Sequence, residues 1–314
     1  MQLAHPSGFS ALLALYGFPV GFRFLWFTAL MWLVPQVTWA GAITIGSVSI
    51  EPVAEITMFS PLARYLAQQL QPEGIDEGRV VVAYNLHQMA AFIREGKVDL
   101  YIDSPFPVVA VSQLSESRLL LQRWKQGVDQ YHTVLFTRHD SGISRLEDLK
   151  GKMVAFKTPF SSSGYFLPKL VLVQAGLRVM PKSEAAASVG PEEVGYVFSH
   201  ADENTVVWVS RGKVSAGAID DQRYQKEAKG NLPSLRVIYQ TVAIPRHIIS
   251  YRADLPLPLV VRIKDILIQM DAVEEGKKVL QAFEGTAKFD EIPAQTMDLL
   301  SQWIPFINTE LELQ

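Results

Sequence analysis

The 314-residue chain contains no cysteine. That single absence excludes disulfide staples, thiol catalysis, cysteine-ligated zinc and lipid attachment at a cysteine together. A basic excess is missing as well: the formal net charge is -3. No Lys/Arg stripe interleaved with aromatics occurs, so nucleic acid is not expected as a partner. His87, His132, His139 and His247 are scattered without metal-ligand spacing, and neither a metal nor a cofactor is expected. There is no GxSxG elbow and no lysine at an acylation spacing, so the chain does not read as an enzyme, and a hydrolase with a serine of the 161–163 turn as nucleophile is the weakest alternative. Internal repeats, low-complexity tracts and long linkers are lacking too.

What remains is 48% hydrophobic, ample for buried cores. The first forty residues hold no acidic residue and one Lys or Arg, Arg23, followed by FLWFTALMWLVP and ending at Ala40. This pattern predicts an export signal over residues 1–40, cleaved before Gly41 or Ala42, with an uncleaved anchor as the alternative. Either way the rest of the chain is exported, to the periplasm, and touches a membrane only through that segment.

From Ala42 the pattern alternates strand and helix. AITIGSVSI is a strand, a loop runs from Ser49 to Ser60, and Ser60 and Pro61 open the helix LARYLAQQL. Strands follow at Arg79 to Tyr84 and Val98 to Ile102, the second ending in the Asp103-Ser104-Pro105 turn. Short connections of this kind imply parallel strands with right-handed crossovers. After Arg138 the pattern restarts, with a capped turn at Ser144 to Glu147 and strands at Met153 to Phe156 and Gly195 to Phe198. The segment from Ala243 has one strand and three helices, too little to bury a sheet face alone, so it completes the first unit. The expectation is an α/β protein of two lobes, 41–137 with 241–314 and an inserted 138–240. Crossovers near Tyr131 to Arg138 and Tyr239 to Ile248 would let the lobes close over a ligand.

One stretch carries chemistry. EDLKGKMVAFKTPFSSSGYFLPKLVLVQAG passes from a strand through Ser161, Ser162, Ser163 and Gly164 into a helix. Free N–H groups and hydroxyls at the positive end of a helix make an anion site, although one serine there would suffice as a cap. This element, with SPLARYL, GKVDLYID, WVSRGKVSAGAID and the IPR after the second crossover, resembles the exported solute-binding proteins of phosphonate, phosphite and phosphate ABC transporters. Their fold is the type 2 periplasmic-binding-protein fold. The resemblance implies that Ser161, Ser162 and Ser163 hold phosphoryl oxygens. It also departs from the family: Asp202 in SHADEN stands near an expected acidic position, Ser215 replaces the acid of a GxVDA element, and SPFP replaces a first-lobe aromatic. An aminoalkyl substituent on the ligand is therefore not implied.

Further candidates are Asp103, Glu51 and Asp202 as acceptors for a protonated oxyanion, Ser104 in the Asp103 turn, and Tyr131 at the hinge. In open α/β sheets ligands gather outside the carboxyl ends of strands, which places the Asp103 turn and the 49–60 loop at one crevice. Arg211 and Arg246 could pair with an anion, but surface arginines are the commoner case. The expected function is capture of a small oxyanion by a monomer that presents it to an ABC permease or, alternatively, to a membrane sensor.

Overall fold

The computed structural model describes residues 41–231 and 234–313; the expected leader lies outside them. The chain begins with β1 (Gly41–Val48), α1 (Pro52–Gln69), β2 (Ile75–Ala83), α2 (Leu86–Arg94), β3 (Leu100–Asp103), α3 (Pro105–Ser115) and β4 (Arg118–Arg123). The two-residue β5 (Gln130–Tyr131) leads into β6 (Thr133–Arg138), β7 (Met153–Phe156), α4 (Leu167–Gln174), β8 (Arg178–Pro181) and β9 (Glu193–Phe198). Then come α5 (Asp202–Ser210), β10 (Ala216–Asp220), α6 (Asp221–Asn231) and β11 (Leu235–Gln240). β12 (Ile244–Pro245), β13 (His247–Tyr251), α7 (Leu257–Gln269), α8 (Glu274–Ala282), β14 (Phe289–Asp290) and α9 (Ala294–Leu313) complete it.

These strands form two six-stranded sheets. The first runs β14-β4-β13-β3-β1-β2, drawing on both ends of the chain, and the second runs β11-β6-β10-β7-β9-β8, all from its middle. β1, β2 and β3 are parallel, as their crossover helices require, whereas β13 joins β3 and β4 antiparallel. Between the lobes β5 pairs with β12, Tyr131 opposite Ile244, so the two crossovers brace each other. Two-residue strands leave few dihedrals to turn, which suits a hinge.

α1 begins eight residues before Ser60, because Pro52 already supplies the fixed φ of a first turn. Pro61 therefore falls inside the helix, where its missing N–H leaves one rung unmade. The expected 49–60 loop is mostly helix. Gly78 lets α1 lie hard on β2: a Cβ there would sit 2.1 Å from the Ala63 carbonyl oxygen.

One core packs Phe59, Leu62 and Leu66 of α1 and Ile263 and Leu267 of α7 on one face of the first sheet. On its other face the core continues from Met89, Ile93 and Phe106 without a break to Phe166 and Leu172 of the second lobe. Trp303 and Phe306 of α9 lie 5.4 and 5.5 Å from the Phe166 ring. Glu310 of α9 pairs with Lys169 of α4 at 2.7 Å, the two side chains 1% and 5% exposed. The C-terminal helix thus straps both lobes.

Candidate functional site

A polar cavity of about 190 Å³ lies between the lobes, at the carboxyl ends of the central strands. Lobe 1 contributes Ser47, Glu55, Asp103 and Ser104; lobe 2 contributes Lys157, Thr158, Ser161, Ser163, Asp202, Asp220 and Arg223; Tyr131 and Arg246 reach in from the hinge.

The serine turn is built tightly. Ser161 Oγ accepts the Gly164 N–H at 2.9 Å, a cap that fixes the entry into a single π-turn over Ser162–Phe166. Gly164 is required by space: a Cβ would stand 2.5 Å from the Lys157 Cβ. It shapes the turn and does not line the cavity. Ser163 does, as does the Tyr131 phenol at the hinge.

Ser162 points the other way. Its hydroxyl is 1% exposed, accepts the Phe106 N–H at 2.9 Å and donates to Ser104 Oγ at 2.9 Å. Because Ser104 makes no side-chain cap of its own, Ser162 caps α3 from the opposite lobe. The Ser162 proton and one of its lone pairs are thus spent joining the lobes, and Ser162 does not line the cavity. Glu51 is exposed, lies outside the central cavity and lines a groove with Pro52, Val53, Met58 and Pro61.

Asp103 is tied within its own lobe. Oδ1 accepts from Ser104 N–H at 2.6 Å and from Ser104 Oγ at 3.2 Å, and Oδ2 accepts from Tyr101 Oη at 3.0 Å. Burial outweighs these bonds and pushes its pKa up to about 7, with nearby Glu55 adding to the rise. Glu55 is raised for the same reason, while Ser47 donates to it at 2.7 Å. Near neutral pH Asp103 can thus be a proton donor. Asp202, at the start of α5, pairs with Lys157 Nζ at 2.8 Å within lobe 2.

The sequence reading missed several cavity groups. Arg246, set aside as a surface residue, is 7% exposed, with its guanidinium 4.5 Å from the Tyr131 ring centre. Lys125, Lys157, Asp220, His247 and Glu284 also line the cavity. Lys157 and Asp220 stand at the carboxyl ends of β7 and β10, the positions where ligands collect, and that rule would have flagged them. Arg211 does not line this cavity. Among the described residues no group of three or more His, Asp or Glu is placed to hold a metal, and no helix is long and apolar enough to cross a membrane.

Two α/β lobes, a paired-strand hinge and a small polar cleft define a protein of the type 2 periplasmic-binding class. Within it the chain belongs to the family described as ABC transporter, phosphonate, periplasmic substrate-binding protein, which it matches over residues 45–297. XAC2383 from Xanthomonas citri, solved with chloride and with ATP, superposes with a TM-score of 0.82 at 22% identity, covering 87% of this chain and 99% of that one. PhnD1 from Prochlorococcus marinus, in complex with methylphosphonate, gives 0.61 at 18% identity, covering 86% and 98%. These likenesses establish the fold. The tetrathionate sensor histidine kinase TtrS of Salmonella typhimurium is 32% identical over 146 residues, 45% of this chain and 24% of that protein. The chain thus spans about a quarter of that curated relative's length.

Proposed function

We propose that the chain is a periplasmic receptor that captures a small phosphorus oxyanion, a phosphonate, phosphite or phosphate, in the inter-lobe cleft and hands it to an ABC importer. One observation carries this reading: hydroxyls of the serine turn and the Asp103-Ser104 turn open on one cavity from opposite lobes. A ligand touching both favours the closed lobes by its differential contacts. The cavity, about 190 Å³, suits a small tetrahedral oxyanion with a short substituent. Charge-assisted hydrogen bonds from Ser161, Ser163 and Lys157 supply the affinity.

The test is thermal melting of the purified chain with phosphate, phosphite, methylphosphonate, aminoethylphosphonate, sulfate and tetrathionate. A ligand at about 100 times its Kd stabilises by roughly 2.7 kcal/mol. A phosphorus oxyanion should raise Tm and be recovered unchanged; no shift with any of them sinks the reading.

A second output is favoured by a specific observation, the 32% identity to a stretch of a sensor kinase. In that reading the closed receptor signals to a membrane partner, and the ligand extends to sulfur oxyanions. Cells lacking the chain separate the two: transport predicts lost uptake of labelled methylphosphonate, whereas sensing predicts normal uptake with a lost transcriptional response.

A further inference from the structure

Three cations gather on the lobe 1 and hinge side of the cavity, together with the carboxyls of Glu55, Asp103 and Glu284. Arg123 is fully buried, with Nη2 3.1 Å from Glu284, and Lys125 Nζ lies 2.7 Å from the same carboxylate. Arg246 adds a third cation. Its nearest carboxylate, Asp220, is 3.8 Å away, its Nη2 reaches the neutral Gln126 Oε1 at 3.4 Å, and its buried Nε has no hydrogen-bond partner. Asp220 Oδ1 accepts the Arg223 N–H at 2.9 Å, and it is Oδ2 that faces Arg246. His247 registers the resulting field: burial first, then Lys125, Arg123 and Arg246, hold its imidazole well below the usual range.

A buried guanidinium whose ion pair is as long as 3.8 Å and whose Nε has no hydrogen-bond partner is under-compensated and has room for an anion. Arg246 lines the cavity, and so do the Tyr131 ring beneath its guanidinium and Ser161 and Ser163 of the serine turn. Cation and serine turn therefore flank one space. We propose that Arg246 is the charge partner of the bound ligand: its guanidinium and the Ser161–Ser163 turn converge on one oxyanion group, so the cleft takes ligands with a full negative charge there and rejects neutral isosteres. Because Arg246 stands in the crossover between β12 and β13, the anion it holds pins the hinge directly. This inference rests on the oxyanion reading and adds its principal charge contact.

The test titrates wild type, R246K and R246Q calorimetrically with methylphosphonate, sulfate and tetrathionate, alongside melts without ligand. R246Q should lose roughly 100-fold in affinity or more for any anion the wild type binds, as for loss of one partner of a buried charge pair. R246K, which keeps the charge but not the planar fork, should recover part of it. Without ligand, R246Q should lose little in Tm, since it removes only a long ion pair to Asp220, 3.8 Å, and a long bond to Gln126, 3.4 Å. Undiminished binding by R246Q to an anion the wild type binds overturns this inference and leaves the oxyanion reading standing. Affinity and unliganded Tm falling together in both variants would make Arg246 structural and overturn it as well. A wild type that binds none of the three anions defeats both.

Discussion

Ser162→Ala should cost stability, whereas Ser163→Ala should cost affinity. Ser162 Oγ is the acceptor for the Phe106 N–H, a first-turn donor of α3 with no intrahelical partner, and the bond is buried. Alanine leaves that N–H unsatisfied beside the stacked Phe106 and Phe166 rings, 4.3 Å apart, where water has little access. Losing a capping acceptor costs about 0.5–2 kcal/mol, and a buried orphan donor about 1–3 kcal/mol. These describe one lost interaction, so the expected penalty is about 2 kcal/mol, a fall in Tm of roughly 5 °C. Ser163→Ala removes a hydroxyl that lines the cavity, and Tm should stay within about 1 °C. Paired melts of the two variants, with and without methylphosphonate, decide the matter. A Ser162→Ala protein that melts like wild type yet binds methylphosphonate more weakly would refute the assignment of Ser162 as a cap.

Three other outcomes follow from buried charge. Glu310→Gln strands Lys169 and should destabilise by about 3–5 kcal/mol, while Lys169→Met with Glu310→Met should recover most of it; denaturant unfolding giving equal losses for single and double variants would contradict this. Asp103 binds its proton more tightly folded, near 7, than at its ordinary 3.8, so its stabilising contribution is full below about pH 4 and disappears as pH rises to 7. Asp103→Asn should therefore flatten the fall in Tm between those values, and an unchanged slope would show that another group sets it. Lys157→Met removes the partner of Asp202 at the cavity and should weaken oxyanion binding roughly tenfold; titration with methylphosphonate showing no change would place the ligand away from lobe 2's basic edge.

Most of the fold could be read from periodicity, because each parallel strand is a short apolar run closed by a turn and a helix. The capped start of α1 could not. Ser60-Pro61 looks like a helix start, and only the packing of the preceding turn shows Pro52 in that place. The site was legible where local sequence encodes local geometry: three serines and a glycine in a row can do little but make a donor-rich turn. Which serine faces the ligand was not, since that depends on α3 arriving from a segment about sixty residues away to claim Ser162. Arg246 was hidden for the same reason. An arginine between two short strands looks exposed in sequence, and its burial arises only when β12 pairs with β5 and brings Tyr131 beneath it. The carboxyl-end rule, used for the Asp103 turn and the 49–60 loop, applies equally to β7 and β10; extending it to every strand finds Lys157 and Asp220. It does not find a hinge residue, because a hinge lies between sheets. The groups that a strand-end rule can reach are those each lobe presents separately, and the groups it misses are those that exist only where the lobes meet.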